Sequence, residues 1–370
     1  MYKSMTTKRV LIAPSAYKGT LSPGELAKAI CQGAADSNVQ CLLLPLADGG
    51  DGTIESINLA VGGQLKQVWV KGPLSQPVLA SWLKLEQLSV IELASASGIA
   101  LLEEERLDPL HAHTAGTGEV LAHCLSAGES NIVVTLGGSA STDGGTGALI
   151  ALGAQFLDKQ GNDLPLGGEA LIDLYQCDLS GLQRWFGKAR IRVATDVDSP
   201  LLGKSGAARI FAPQKGANDQ QVALLEKGLT RLADVLEAVV GNFLRDKPGA
   251  GAAGGAAFGL AIGLGAEIIP GFSWIAEIVR LKEKIAACDL VITAEGKLDK
   301  QSLSGKATGE LARMCASHNR PLWIIPALVE SGIDWTRFGI ERVVPAAQEG
   351  KIATANDVTR VSRQLFESYI

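Results

Sequence analysis

The chain has 370 residues, more than one ordinary hydrophobic core organises, so we expect two domains. It is 46% hydrophobic and 20% charged, which is typical of a globular enzyme and argues against a disordered chain. The net charge of −5, with dispersed lysines and arginines, argues against nucleic acid or an anionic membrane as a partner.

Cysteine usage and the N-terminus predict a cytoplasmic protein. The six cysteines form no C-x-x-C pair and no metal-binding spacing, which indicates reduced thiols. The first residues lack the apolar core and cleavage site of a signal peptide. Residues 248–266 carry no charge, but they are rich in glycine and poor in large apolar side chains. This composition favours a buried helix over a membrane span.

The first fifty residues have the rhythm of a parallel sheet. Segment 9–16 predicts a buried strand, and the trio Ser22, Pro23 and Glu25 predicts a helix that begins with a capping box. Segment 40–50 predicts a second buried strand, which ends at the first Asp-Gly-Gly motif. Ligands of such sheets gather at the carboxyl ends of the strands, so this loop is a candidate site.

From about Gly62 onward the parallel-sheet pattern is replaced by a pattern of antiparallel strands, and it returns later in the chain. Segments 67–85 and 89–102 predict antiparallel strands with Gly-Pro turns. Segment 116–128 predicts a helix, and segments 131–145 and 189–203 predict strands with glycine-rich or polar exits. Three closing strands of parallel type are predicted at 289–299, 321–328 and 341–347.

These elements predict an α/β fold with two domains. One is a flavodoxin- or Rossmann-like parallel-sheet domain, built from residues 1–66 and 285–370. The other is an α/β domain inserted between them, residues 67–284. Segment 112–150 fits either domain.

The P-loop and Rossmann nucleotide-binding motifs are incomplete or wrongly placed in this sequence. The stretch around Lys204 resembles the end of a P-loop, but Asp198 stands where its first glycine is required. Gly249, Gly251 and Gly254 match G-x-G-x-x-G, yet they follow an apparent helix rather than a strand, which argues against a Rossmann cofactor.

Charged residues instead cluster on loops that end apolar strands. Phosphoryl transfer needs cations and backbone N–H groups around phosphates, carboxylates for Mg²⁺, and a carboxylate near the attacking hydroxyl. An Asp before Gly-Gly is by itself usually a turn. The convergence of many such loops predicts a site for phosphate and metal, drawn from Lys18, Asp48, Asp51, Asp143, Asp196, Asp198, Lys215, Glu295, Lys297, Asp299 and Lys306.

The same segments resemble the bacterial glycerate kinases of type 1, a family distinct from the ribokinase-like and P-loop glycerate kinases. The likeness is carried by "IAPSAYKGTLS", "PLADGGDGT", "VIELASASGI", "LGGSASTDGG", "DVDSPLLG", "FAPQKGA", "GAAGG" and "DLVITAEGKLD", in the family's order. It implies transfer of the γ-phosphoryl group of ATP to a hydroxyl of D-glycerate, typically giving 2-phosphoglycerate. It also implies two α/β domains with a substrate cleft between them.

The chain departs from the family pattern at three places. The family has A-P-D-S-F-K where this chain has Ser15, Ala16 and Tyr17 before Lys18. Where the family has G-E-G-R, this chain has Ala294, Glu295, Gly296 and Lys297. Lysine keeps the charge but loses the bidentate fork of arginine. A family turn of A-x-A-G-S type is replaced by "IIPALVES". The departures bear on the substrate more than on the reaction class.

We expect the following roles from the resemblance together with the residue types. Mg²⁺–ATP lies over the glycine-rich loops, with its phosphates held by backbone N–H groups and by Lys18 or Lys215. Asp196 or Asp198 holds Mg²⁺ or accepts the hydroxyl proton, with Asp48 and Asp143 as the other candidates. Lys297 or Lys306 binds the glycerate carboxylate. The remaining site residues are Gly49, Gly50, Gly137, Gly138, Ser139, Ser141, Glu295 and Asp299.

Two alternatives stay open at this point. The chain is a kinase for a related small hydroxy acid, or a non-catalytic metabolite-binding protein on the same scaffold. A homodimer is also open.

Overall fold

The computed structural model describes residues 7–17, 19–47, 49–50, 52–303, 307–348 and 351–369. The chain forms two compact units. The first comprises Met1–Asp48, Glu55–Val61 and Phe272–Ile370, and the second comprises Gly49–Ile54 and Gly62–Gly271. The sequence predicts a return to the first domain at residue 285, whereas the chain returns to the first unit at Phe272. Segment 112–150 lies in the second unit.

Strands and helices alternate along most of the described chain. The strands are β1 Lys8–Ile12, β2 Val39–Leu43, β3 Gln64–Lys71, β4 Pro77–Lys84, β5 Ser89–Glu92, β6 Asn131–Thr135, β7 Gln155–Leu157, β8 Gln176–Asp178, β9 Arg190–Thr195, β10 Glu267–Pro270, β11 Leu290–Leu298, β12 Leu322–Val329 and β13 Arg342–Val343. The helices are α1 Pro23–Gly33, α2 Thr53–Val61, α3 Ala94–Ser97, α4 Ala115–Ser126, α5 Thr146–Leu152, α6 Ala207–Phe211, α7 Asp219–Val240, α8 Ala252–Leu264, α9 Gly271–Ile278, α10 Leu281–Ala286, α11 Ala307–Ser317 and α12 Ala355–Glu367.

The first unit is built on a parallel five-stranded sheet. Its order is β13-β12-β11-β1-β2, which is the flavodoxin order 2-1-3-4-5 written from the other edge. The prediction of a flavodoxin-like parallel sheet is therefore confirmed. The strand order reverses between β1 and β11, and this switch point is where ligands bind in such sheets.

Local sequence explains how this sheet is covered. Ser22 caps α1, and the capping box with Glu25 is present as predicted. Gly33 lets α1 lie against α12, since a Cβ on it would stand 2.5 Å from Ser362 Cβ. The prediction that β2 is a buried strand is wrong. β2 is an edge strand, and its Leu42 is 40% exposed because nothing pairs with its outer side within the sheet.

The second unit has a six-stranded sheet of order β10-β9-β6-β5-β4-β3. The four strands β10, β9, β6 and β5 are parallel, so their carboxyl ends meet at one edge. β3 and β4 form the predicted antiparallel hairpin. The glycine-rich run at 248–266 contains the helix α8, which is buried over most of its length as predicted. Among the described residues no helix is both long and apolar enough to span a membrane.

Candidate active site

The first Asp-Gly-Gly motif supplies bare backbone to the sheet edge of the second unit. The Gly137 N–H, at the exit of β6, donates to the Gly49 carbonyl oxygen at 2.9 Å. A Cβ atom on Gly137 would lie 2.2 Å from Gly50 Cα, so only glycine permits this approach. The structure thus brings together Gly49, Gly50 and Gly137. Asp48 and Asp51, which flank these glycines, lie outside the described residues.

The carboxylate of Glu92 holds the same motif from the end of β5. Its Oε1 accepts a hydrogen bond from Gly52 N–H at 3.1 Å, and its Oε2 accepts one from Ile54 N–H at 3.0 Å. Glu92 is only 9% exposed. It is not among the residues that the sequence predicts. Glu92 is an acidic residue at the end of a buried apolar run, which is the same sequence signal that identified Asp196. This signal could have identified Glu92 as well.

The second Asp-Gly-Gly motif has a different form, because its carboxylate is fully buried. Asp143 Oδ2 accepts from Thr114 N–H and Thr114 Oγ1, both at 2.8 Å, and from Gly147 N–H at 3.1 Å. Asp143 Oδ1 accepts from Gly145 N–H at 3.1 Å. Asp143 precedes α5, and its bond from Gly147 N–H places the carboxylate at the helix N-terminus, where the helix dipole favours a negative charge. Asp143 therefore organises this loop through bonds to its own chain.

A buried lysine supports the glycine-rich exit of β6. Lys215 is 2% exposed, and its Nζ donates to Ser139 Oγ at 2.8 Å and to the Ser141 carbonyl oxygen. Burial lowers the pKa of Lys215 to about 7, and the nearby charge of Asp143 opposes that fall. Gly138 lies in the same loop with φ +70° and accepts a hydrogen bond at its carbonyl oxygen. The predicted residues of this loop therefore form one cluster.

Two buried hydroxyls in this loop lack partners among the described residues. Ser141 Oγ and Thr142 Oγ1 are both inaccessible and make no hydrogen bond there. A buried polar group without a partner costs free energy, so such groups usually face a ligand or an ordered water. The loop therefore presents an ammonium group and unused hydroxyls in one small region.

The helix α8 packs against this loop backbone to backbone. Ala253, Gly254 and Gly255 have φ of +52°, +64° and +87°, a left-handed turn that glycine adopts readily. A Cβ on Gly254 would lie 2.1 Å from the Ser141 carbonyl oxygen. Gly144 N–H also donates to the Gly254 carbonyl oxygen at 3.0 Å. The glycines of this helix therefore support the predicted phosphate loop.

Asp196 and Asp198 follow β9 at the same sheet edge. Asp196 is half-buried, and a Cβ on Gly271 would stand 3.2 Å from its Oδ2, so the backbone at Gly271 lies close to this carboxylate. Asp198 is exposed. Carboxylate oxygens on a strand end, with backbone close by, fit Mg²⁺, which is usually bound by one or two carboxylates and by substrate phosphates. The described residues contain no cluster of three or more metal-binding side chains.

In the first unit, Ser15 lies at the switch point between β1 and β11. Its N–H and its Oγ both donate to the Ala294 carbonyl oxygen at 2.9 Å. The hydroxyl proton is thereby committed, and the oxygen presents lone pairs. Tyr17 donates from its hydroxyl to the Ile325 carbonyl oxygen at 2.7 Å, and burial raises its pKa. Tyr17 therefore remains a neutral donor.

The charged residues predicted on β11 extend from the same sheet edge. Glu295 is half-buried, and Lys297 is exposed. Lys297 Nζ lies 3.6 Å from Asp299 Oδ2, a pair of the solvent-exposed kind that contributes little stability. Lys18 and Lys306, the other lysines predicted for this region, lie outside the described residues.

Comparisons with known proteins agree on one family. A sequence model of the glycerate kinase family matches residues 10–368. Glycerate 2-kinase of Escherichia coli K12 is 41% identical over 318 residues, covering 85% of this chain and 84% of that protein. Glycerate kinase of Bacillus subtilis 168 is 38% identical, covering 85% and 83%. A crystal structure assigned to glycerate kinase 2 of Salmonella typhimurium LT2 superposes with a TM-score of 0.81 at 36% identity, covering 98% of each chain.

Proposed function

Since the chain belongs to the glycerate kinase family and is a kinase, we propose that it transfers the γ-phosphoryl group of ATP to D-glycerate. The name of its Escherichia coli relative, glycerate 2-kinase, supports the 2-hydroxyl as the acceptor and 2-phospho-D-glycerate as the product. The six free cysteines support a location in the cytosol, because thiols are kept reduced in that compartment.

The observation that carries the proposal is the Lys215 cluster in the second unit. Phosphoryl transfer depends on preorganised positive charge and N–H groups, which act most strongly where water is excluded. Lys215 holds an ammonium group against Ser139 and Ser141, beside the partnerless hydroxyls of Ser141 and Thr142. In this role Lys215 fixes the loop of residues 137–141 through its bonds to Ser139 and Ser141, while backbone N–H groups and hydroxyls of the loop contact the phosphates.

Asp196 and Asp198 are the candidate metal ligands and bases. They would hold Mg²⁺, which neutralises charge on a transferred phosphoryl group when it is bound. One of the two carboxylates accepts the proton of the attacking hydroxyl. Asp143 is a weaker candidate for that task, because its two oxygens already accept four hydrogen bonds from the protein.

Recognition of the glycerate carboxylate is assigned to the first unit. Lys297 is paired only loosely with Asp299, at 3.6 Å and in contact with solvent, so its ammonium group can exchange that partner for a substrate carboxylate. Lys306 is the other candidate. Glu295 lies on β11 and Asp299 directly follows its last residue, and we assign both the role of orienting this charge.

A kinase for a related small hydroxy acid is the second candidate. It is favoured by Ser15, whose neutral hydroxyl stands at the β1–β11 switch point and donates to Ala294. A neutral acceptor there changes which hydroxy acid fits. The non-catalytic alternative predicts binding without turnover. We also keep the homodimer as a hypothesis, to be tested by light scattering.

The testing experiment measures ATP turnover with D-glycerate and Mg²⁺. The product is identified by coupling the reaction to enolase and leaving out phosphoglycerate mutase. This coupled assay detects 2-phosphoglycerate alone. We expect D-glycerate to be phosphorylated faster than glycolate or L-lactate. Asp196→Asn is expected to lower kcat at least about 100-fold, as loss of a base or metal ligand does. Asp158→Asn, an exposed turn carboxylate, is the control.

Each outcome decides between the candidates. Turnover of another acid in preference to D-glycerate replaces the substrate assignment. Binding of D-glycerate without turnover favours the metabolite-binding protein. Full activity in Asp196→Asn moves the base or metal ligand to another carboxylate, of which Asp198→Asn is the first to test.

A further inference from the structure

We propose that Glu92 is a positioning residue of the phosphoryl-transfer site, acting by anchoring the segment Gly49–Ile54 to the carboxyl end of β5. This inference rests on the proposed function, because it assigns Glu92 a role in the same reaction. It adds a residue whose side chain acts on the Asp-Gly-Gly motif rather than on a substrate.

The first argument is the geometry of the carboxylate. Each of its oxygens accepts one backbone N–H, from Gly52 at 3.1 Å and from Ile54 at 3.0 Å. These two groups flank Thr53, the first residue of α2. The first N–H groups of a helix have no partner within the helix, and a negative charge there is favoured by the helix dipole. Glu92 therefore satisfies two N–H groups at the start of α2.

The second argument is that two neighbouring strand ends hold the segment together. Glu92 is in register with Thr135 across the parallel pair β5–β6. Two residues beyond Thr135, Gly137 N–H donates to the Gly49 carbonyl oxygen at 2.9 Å. The end of β5 thus holds one side of the segment, while the exit of β6 holds the other. Gly137 also begins the loop that Lys215 supports. The anchored segment is therefore hydrogen-bonded to the first residue of the proposed phosphate loop.

The third argument is the glycine content of the segment. Three of its six residues are glycines, which offer no side chain for packing and have the greatest conformational freedom. Gly49 and Gly52 both have positive φ, at +87° and +83°. The segment also lies in the second unit, whereas the chain on either side of it belongs to the first unit. Hydrogen bonds from the strand ends therefore help to hold these glycines in one conformation.

The test compares Glu92→Gln with the matched control Glu129→Gln. Glutamine keeps the size of Glu92 but places an NH₂ group where one oxygen accepted an N–H, so one of the two anchoring bonds is lost. Glu129 is a similarly buried carboxylate at the other end of β5, where it accepts from Ser89 Oγ at 2.8 Å and from Lys84. Its replacement weakens the same unit without touching the segment.

Two readouts are measured on both variants. Hydrogen–deuterium exchange of the peptide covering Gly49–Ile54 is expected to accelerate in Glu92→Gln and to stay unchanged in Glu129→Gln. In ATP-dependent phosphorylation of D-glycerate, kcat is expected to fall roughly 10- to 100-fold in Glu92→Gln, the usual loss for one hydrogen bond to a charged group, with little change in KM for either substrate. Glu92→Asp, which keeps the charge, should recover part of kcat.

The outcomes separate this proposal from the proposed function. Unchanged exchange in Glu92→Gln overturns the anchor. Faster exchange with kcat equal to that of Glu129→Gln overturns the positioning role. A wild-type protein that phosphorylates no hydroxy acid overturns the proposed function and the positioning role with it, while exchange still decides whether Glu92 anchors the segment.

Discussion

Asp143→Asn is expected to destabilise the second unit strongly. Asn keeps the shape of the side chain and one acceptor oxygen, which can take the position of Oδ2 and keep its three donors. The amide NH₂ then faces Gly145 N–H, so one buried donor loses its acceptor. The remaining bonds also change from charge-assisted to neutral, which makes each of them weaker.

The magnitude follows from these bonds. One unsatisfied buried N–H costs about 1–3 kcal/mol, and with the weakening of the other three bonds we expect about 2–4 kcal/mol in total. For a unit of this size each kcal/mol lowers Tm by about 2–4 °C, so Tm should fall by about 10 °C. Asp143→Ala, which leaves all four donors without an acceptor, should not fold stably.

Thermal unfolding followed by calorimetry measures this effect, with Asp158→Asn as the control. Asp158 also accepts backbone N–H groups, but it does so in an exposed turn where water replaces a lost partner. A Tm for Asp143→Asn that equals the Tm of the control would refute the reasoning, because it would mean that the buried bonds contribute nothing net.

Three further predictions concern the lysines and the glycine contact. Because the folded protein lowers the pKa of Lys215 from 10.5 to about 7, the unfolded chain binds more protons between those values. The free energy of unfolding of wild type relative to Lys215→Met should therefore rise from about pH 7 to about pH 10.5 and be flat below pH 7. A difference that does not depend on pH in urea titrations contradicts this expectation. Gly137→Ala should abolish most turnover, because the new Cβ would lie 2.2 Å from Gly50 Cα. Gly24→Ala is the control and should be tolerated, because the nearest atom to its Cβ would lie 3.5 Å away. Equal activity of the two variants would exclude the close approach of Gly137 to Gly50. Lys297→Ala should raise KM for D-glycerate roughly tenfold or more, because one charge-assisted contact with the substrate is lost, and should leave KM for ATP unchanged. A raised KM for ATP with an unchanged KM for D-glycerate would mean that this lysine binds the nucleotide.

Much of the fold could be predicted from the sequence because its signals are local. The capping box at Ser22 and the acidic exit of β9 depend on residues within a few positions of each other, and both are confirmed. The burial of β2 could not be predicted, because it depends on where the strand lies in the sheet. An apolar run such as residues 41–44 has the same sequence pattern in a central strand and in an edge strand.

The site was predictable by position and less so by role. The sequence predicts both Asp-Gly-Gly motifs as site loops, yet it cannot distinguish them. The first contributes backbone that touches Gly137, while the second contributes the buried carboxylate of Asp143. Glu92 escapes prediction because its partners, Gly52 and Ile54, lie about forty residues earlier in the chain. The roles of Asp196, Asp198 and Lys297 stay predictions until turnover is measured.

The discontinuous first unit has a consequence for the order in which the newly made chain folds. β1 pairs on one side with β2, which is synthesised soon after it, and on the other side with β11, which begins at Leu290. While the ribosome adds the intervening residues, the apolar side chains of Val10, Leu11 and Ile12 have no complete sheet to enter. The second unit, continuous from Gly62 to Gly271, can close first. We therefore expect the N-terminal strands to depend on chaperones during synthesis, because strand pairing across so long a loop is slow and leaves a sheet edge open to aggregation.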